Sequence, residues 1–275
     1  MNTISFVTAN FVARYTGYNM TGGWDHGSTT TSDYFRPIET FPERFDALMA
    51  EIRGLGFSAV DLWMNHLHFD WATDRHIEAA RESLGRHGLS VTAFVGYGHT
   101  EKEIHAIGRL VQGMGCKMWS GSLGLLVSDR TRLPDILRHY DFRLAVENHP
   151  EKNAAELLAR LGEGDEDVIG ACADTGWFGT QDCNAADAIH ELKGRLFHIH
   201  LKDVKARRAG KTGYEGIDLG HECCRYGAGI VPVEQTVRTA IRDGFKGPIS
   251  VEQEPELYDP TEDVRASLQL LKSWI

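Results

Sequence analysis

A chain of 275 residues, 42% hydrophobic and 25% charged, has the apolar side chains for a large core and the composition of a globular protein. Its net charge of −10 argues against nucleic acid or an anionic membrane as partner, since both are bound through dense Lys/Arg surfaces. Five cysteines (Cys116, Cys172, Cys183, Cys223, Cys224) form an odd set without CxxC spacing, which fits a reduced cytoplasmic protein better than a disulfide scaffold or a thiolate zinc site.

The first stretch, MNTISFVTANFVARY, has no basic leader and no long apolar run, so 4–10 reads as a first strand and not as a signal peptide. No later segment is long and apolar enough to span a bilayer. A polar Gly/Thr/Asp-rich loop follows. Thr40 then caps a helix with Phe41, Phe45, Leu48, Met49 and Ile52 on one face and Pro42 in its first turn. The strand 57–63, a helix opened by Thr73 and closed by Gly88, and the strand 90–95 come next. Thr100 and Glu103 form a capping-box pattern ahead of Ile104, Ile107, Leu110 and Val111. A weaker strand at 116–119 and a short helix near 133–140 complete the first half.

The second half repeats the rhythm with strands at 142–147, 168–174, 196–201 and 249–252 and helices near 153–162, 184–193, 232–243 and 261–273. Residues 204–230 hold six glycines and no periodicity, which predicts a long loop of functional kind. Eight strands alternating with eight helices match an α/β chain folded as a single (β/α)8 TIM barrel over 1–275. A doubly wound sheet would place a glycine-rich phosphate turn after its first strand, and TANFVARYTG has none.

In a barrel, functional side chains sit at the C-terminal ends of the strands. The runs FRLAVE, VIGACAD and ISVE end on Glu147, Asp174 and Glu252, and LFHIHLKD alternates Phe197, Ile199 and Leu201 with His198, His200 and Lys202. Carboxylates at the ends of buried strands are costly unless a cation pairs them. Three carboxylates and one imidazole converging on a point describe a divalent-metal site of Glu147, Asp174, His200 and Glu252. His198 then points inward one layer deeper, as a supporting or packing group.

VENHP, ADTGW, HIHLKD and ISVEQEP, together with GFSAVDLW in the second strand, resemble the xylose-isomerase-like TIM-barrel superfamily of sugar isomerases, epimerases and inosose dehydratases. The resemblance covers nearly the whole chain and is most specific from Val146 onward. In the sugar-converting members one divalent ion is held by Glu, Asp, His and Glu of the last four strands, which correspond to Glu147, Asp174, His200 and Glu252. The superfamily also includes DNA-repair enzymes of the endonuclease IV type; these and the ketohexose 3-epimerases carry a histidine where this chain has Trp177, and the latter an arginine where it has Ala206. Those departures disfavour a nuclease and set the ketohexose epimerases apart; HLKD more resembles the inosose dehydratases and uncharacterised sugar-isomerase-like proteins.

Oxygen-rich ligation with a single nitrogen suits one Mn²⁺ or Mg²⁺, with Co²⁺ or Zn²⁺ as alternatives. The expected partner is a sugar or polyol, non-phosphorylated because no phosphate turn is apparent; a homo-oligomer is left open. The expected activity is isomerisation or epimerisation through an enediolate, with Glu147 and Glu252 as the two catalytic proton carriers. A dehydratase or lyase begins with the same proton abstraction, and a non-catalytic sugar-binding or scaffold barrel is the remaining alternative. Weaker substrate contacts are assigned to His66, Trp177, Lys202 and His221, and a supporting place to Glu254.

Overall fold

The computed structural model describes residues 2–206 and 220–275. The strands are β1 (Ile4–Val7), β2 (Ala59–Trp63), β3 (Ser90–Gly98), β4 (Met118–Leu123), β5 (Arg143–Glu147), β6 (Ile169–Asp174), β7 (Leu196–Leu201), β8 (Asp203–Ala206), β9 (His221–Cys224) and β10 (Ile249–Val251). Eight of them pair in parallel and close as β1-β10-β7-β6-β5-β4-β3-β2, while β8 and β9 form a separate antiparallel pair. The chain is a (β/α)8 TIM barrel.

The helices are α1 (Gly23–Phe35), α2 (Phe41–Gly54), α3 (Asp74–His87), α4 (Glu101–Gly113), α5 (Leu125–Ser128) and α6 (Leu133–His139). They continue with α7 (Ala154–Leu161), α8 (Thr175–Thr180), α9 (Ala185–Leu192), α10 (Val233–Arg242) and α11 (Thr261–Trp274). Local sequence explains their ends. Thr100 Oγ1 accepts from Glu103 N at 3.3 Å and Glu103 Oε2 accepts from Thr100 N at 2.8 Å, so the capping box opens α4 and turns Ile104, Ile107, Leu110 and Val111 onto the barrel.

Three expectations need correction. The first strand ends at Val7, and a 3-10 turn takes Thr8–Phe11. The polar stretch after it contains α1, whose Ser and Thr hydroxyls bond back to carbonyls one turn earlier (Ser28 to Trp24, Thr30 to His26). The predicted loop 204–230 contains the β8–β9 hairpin, with Val204 paired to Cys223 and Ala206 to His221.

The barrel interior departs from the usual filling of branched aliphatics. Ser5, Asp61, Ser120, His198 and Ser250 are fully buried, and they come from β1, β2, β4, β7 and β10. A register shift between Val60 and Asp61 in the β2–β3 pairing lets Thr92 Oγ1 reach both Val60 O and Asp61 Oδ1. The strands also approach closely: a Cβ on Gly121 would stand 1.9 Å from Gly96 O, so β4 needs glycine there.

Candidate active site

Parallel registers carry the predicted residues to the C-terminal mouth. Asp174 is opposite His200, and His200 is opposite Ser250, two residues before Glu252. Asp174 also caps α8: its Oδ1 accepts from Gly176 N at 2.8 Å and Trp177 N at 3.1 Å, which leaves Oδ2 to face the site. One side chain thus ends a strand and starts a helix.

His200 Nδ1 donates to Glu147 Oε1 at 2.7 Å and lies 3.5 Å from Glu252 Oε1. One candidate ligand atom each from Glu147, His200 and Glu252 fall within 4.8 Å of one another, and the same holds for Glu147, His149 and Asp174. The four predicted ligands therefore lie in two overlapping groups that share Glu147. His149 closes the second group, with Nδ1 3.5 Å from Glu147 Oε2 and Nε2 3.4 Å from Asp174 Oδ2.

Lys202 joins the groups. Its Nζ stands 3.1 Å from Asp174 Oδ2, 3.1 Å from Glu252 Oε2 and 2.9 Å from Glu254 Oε2. Thr175 Oγ1 bonds both the N and the O of Lys202, each at 2.8 Å, and fixes its backbone. The neighbouring Asp203 takes no part in this pairing. Asp203 instead gives its carboxylate to the backbone N–H groups of Val204, Gly227, Gly229 and Val231.

Burial sets the electrostatics. It pushes Glu252 up to about 8, against the pull of Lys202 and His200. Burial opposes charge on His149, but Glu147 and Asp174 outweigh it and raise the imidazole to about 10. Burial likewise opposes charge on Lys202, and Asp174, Glu252 and Glu254 hold it well above its ordinary value. The Glu147 and Asp174 carboxylates are thus held ionised beside the protonated nitrogens of His149 and Lys202, while Glu252 keeps its proton to about 8.

The other predicted residues are distributed unevenly. Glu254 contacts Lys202, and Trp177 lies edge-on to His149 with ring centroids 4.5 Å apart and its Nε1 on Glu151 O at 2.9 Å. His198 sits one layer down, with Nδ1 on Ser120 Oγ and Nε2 on Ser250 Oγ, both at 2.6 Å, and Nε2 3.1 Å from Asp61 Oδ2. His66 is fully buried between Phe35 and Trp63 with Nδ1 on Thr8 Oγ1, and none of its described contacts is to the carboxylate cluster. His221 is half-buried on β9.

Two residues escaped the sequence reading. His149 was visible in VENHP, two positions after Glu147. Asp61 was visible as the one charge in the apolar strand AVDLW. A groove on the outer wall, lined by Phe69, Ile77, Arg81, Arg109 and Leu110, contains none of these groups.

A family model described as xylose isomerase-like TIM barrel matches residues 121–274, more than half of the chain. The chain belongs to the xylose isomerase-like TIM-barrel family. No curated protein sequence matches it. Among solved structures it is similar to the IolI protein with a binding zinc atom, at TM-score 0.69 and 15% identity over 99% of this chain and 97% of that one. A D-allulose 3-epimerase from Methylomonas sp. in complex with D-allulose gives TM-score 0.68 and 11% identity over 100% and 97%. The probable 3-DHS dehydratase AsbF from Bacillus anthracis gives TM-score 0.65 and 14% identity over 99% of both chains. At such identities the likeness is one of fold, and function must be argued from the site.

Proposed function

We propose that this family member is a divalent-metal-dependent isomerase or epimerase of a non-phosphorylated sugar, with Glu147, Asp174, His200 and Glu252 as metal ligands. The observation that carries the reading is the group Glu147, His200 and Glu252 at the mouth, with candidate ligand atoms within 4.8 Å of one another. The donor set fits a hard or borderline ion, because carboxylate oxygens outnumber the single imidazole. Glu252 Oε2 is buried, has a short ion pair to Lys202 and lacks a geometrically sound hydrogen bond, as a carboxylate oxygen reserved for a cation would. The neighbour with zinc and the neighbour with D-allulose support the same chemistry.

The ion, when bound, would polarise a hydroxyl-carbonyl pair of the sugar. The protein's part is proton transfer and orientation. Glu147 and Glu252 stand on β5 and just after β10, so one can take the proton from the carbon beside the carbonyl while the other returns one. Lys202, held by Thr175 and by the carboxylates, is placed to donate to a substrate oxygen. Trp177 and His149 form a wall against which a sugar can be oriented.

A second reading, β-elimination from an inosose, keto-sugar or keto-glycoside, is favoured by Lys202. A buried ammonium beside the proton-abstracting carboxylates can protonate a departing hydroxyl. The metal assignment is tested by elemental analysis of protein saturated with Mn²⁺ or Zn²⁺ and then desalted. About one ion per chain is expected, with most of it lost in Asp174→Asn and in His200→Ala. Stoichiometric metal in both variants would overturn the ligand set.

A further inference from the structure

Beneath the mouth, two fully buried polar atoms face each other, neither with a geometrically sound hydrogen bond, although His198 Nε2 lies 3.1 Å from one of them. They are Nε2 of His200 and Oδ2 of Asp61, 3.9 Å apart. Buried polar atoms are nearly always satisfied, so such a pair calls for an explanation. The other oxygen of the same carboxylate is occupied: Asp61 Oδ1 accepts from Ser5 Oγ at 3.1 Å and from Thr92 Oγ1. Asp61 is thus anchored from β1 and β3 with its second oxygen aimed at the histidines of β7.

We propose that Asp61 is a positioning residue for His200: its Oδ2, 3.9 Å from Nε2, attracts the Nε2–H electrostatically and so holds the ring with Nδ1 turned to Glu147 and Glu252. The inference rests on the metal site proposed above and extends it to a residue outside the ligand set. An imidazole has two nitrogens, and when one binds an ion the other must carry the proton and needs an acceptor. His200 Nδ1 already faces the carboxylates, 2.7 Å from Glu147 Oε1 and 3.5 Å from Glu252 Oε1, so Nε2 is the nitrogen that needs one.

His198 does not replace Asp61. Its two nitrogens are engaged by Ser120 and Ser250, and it approaches Asp61 Oδ2 from the side at 3.1 Å, which helps fix the carboxylate. Cys172 is the competing acceptor, since a ligand atom of Cys172, His198 and His200 each lie within 4.8 Å of one another. A thiol sulfur accepts weakly, whereas a carboxylate gives a charge-assisted bond.

The substitution Asp61→Asn separates these possibilities. Ser5 and Thr92 donate to the Oδ1 side, so the asparagine carbonyl stays there and its NH2 turns toward His200. That NH2 favours a lone pair on Nε2 and a proton on Nδ1, the nitrogen a metal needs.

The test measures the Zn²⁺ dissociation constant by chelator competition for wild type, Asp61→Asn and Cys172→Ala, alongside thermal melts. Side-chain ¹⁵N spectra of the Zn²⁺-loaded wild type complete it. Asp61→Asn is expected to weaken binding by about 10- to 100-fold, as loss of such a partner typically does. Cys172→Ala is expected to leave it within about threefold, and the spectra should show His200 metallated at Nδ1 with its proton on Nε2. Equal affinity in wild type and folded Asp61→Asn, or an equal loss in Cys172→Ala, would overturn the role of Asp61 while leaving the metal site standing. Metallation at Nε2 would overturn it even if Asp61→Asn fails to fold. A wild type that binds no Zn²⁺ would remove the metal site and the inference together.

Discussion

The ammonium of Lys202 lies 3.1 Å from Asp174 Oδ2, so a cation just beyond β7 neutralises the carboxylate that ends β6. The same Nζ serves Glu252 and Glu254. Lys202→Met should therefore strand the buried Asp174 carboxylate. Breaking a buried ion pair from one side costs about 3–5 kcal/mol. Urea unfolding of the chelator-treated variant should show a loss of that order, reduced by added Mn²⁺ or Zn²⁺. A loss under about 1 kcal/mol would mean that the Asp174 carboxylate protonates instead.

Metal uptake should depend on pH in a fixed direction. Burial holds the Glu252 proton up to about 8, and around His200 the neighbouring Cys172, Glu252 and Glu147 outweigh burial and favour its charged form. A metal needs both groups deprotonated, so affinity should rise as pH rises through neutrality toward 8, with protons released on binding. Calorimetric titration in buffers of different ionisation enthalpy reads that release. A dissociation constant unchanged between pH 6 and about 9 would contradict it.

Gly176 makes room for Lys202. A Cβ at that position would stand 2.6 Å from Lys202 Cγ and 2.7 Å from Cδ. Because Thr175 pins the Lys202 backbone, the side chain and not the strand must give way. Gly176→Ala should lower turnover by about 10- to 100-fold through misplacement of the ammonium. Its melting temperature should change far less than that of Lys202→Met. A variant with wild-type turnover would show that the position of Nζ is immaterial.

The sequence made the barrel legible where burial is simple. The strand 196–201 coincides with β7, and 142–147 and 168–174 differ from β5 and β6 by a single residue. Apolar runs that must be buried admit few alternatives. The helix α1, GWDHGSTTTSDYF, was hidden by glycine and hydroxyl residues of weak helix propensity that tertiary packing overrides. The cap of α8 was hidden because Asp174 reads equally as a strand end. Arg207, Arg208 and Lys211, basic residues of the sequence between β8 and β9, lie outside the described residues. At the site, strand-end carboxylates were recognisable by position. The pairing of Lys202 with Asp174 was not, because strand period gives a direction and not a partner.

A phosphorylated substrate should be disfavoured. Lys202 is engaged by Asp174, Glu252 and Glu254, and the Arg160 guanidinium by Glu151, His149 O and Ser122. A phosphate would add close to two negative charges beside these carboxylates. kcat/KM for a free keto-sugar should exceed that for its phosphate ester under matched metal and salt. A preference of about tenfold for the ester, abolished by Arg207→Ala or Arg208→Ala, would contradict the expectation.

The most direct test of proton abstraction at a metal site is solvent-deuterium incorporation, read by mass spectrometry against neutral ketoses, inososes and keto-glycosides. It detects the shared first step whether isomerisation or elimination follows. Incorporation is expected at the carbon beside the carbonyl for at least one of these substrates. It should disappear with chelator, return with Mn²⁺ or Zn²⁺, and be lost in Glu252→Gln while the substrate still binds. Incorporation that persists in metal-free protein, or at wild-type rate in Glu252→Gln, would contradict it.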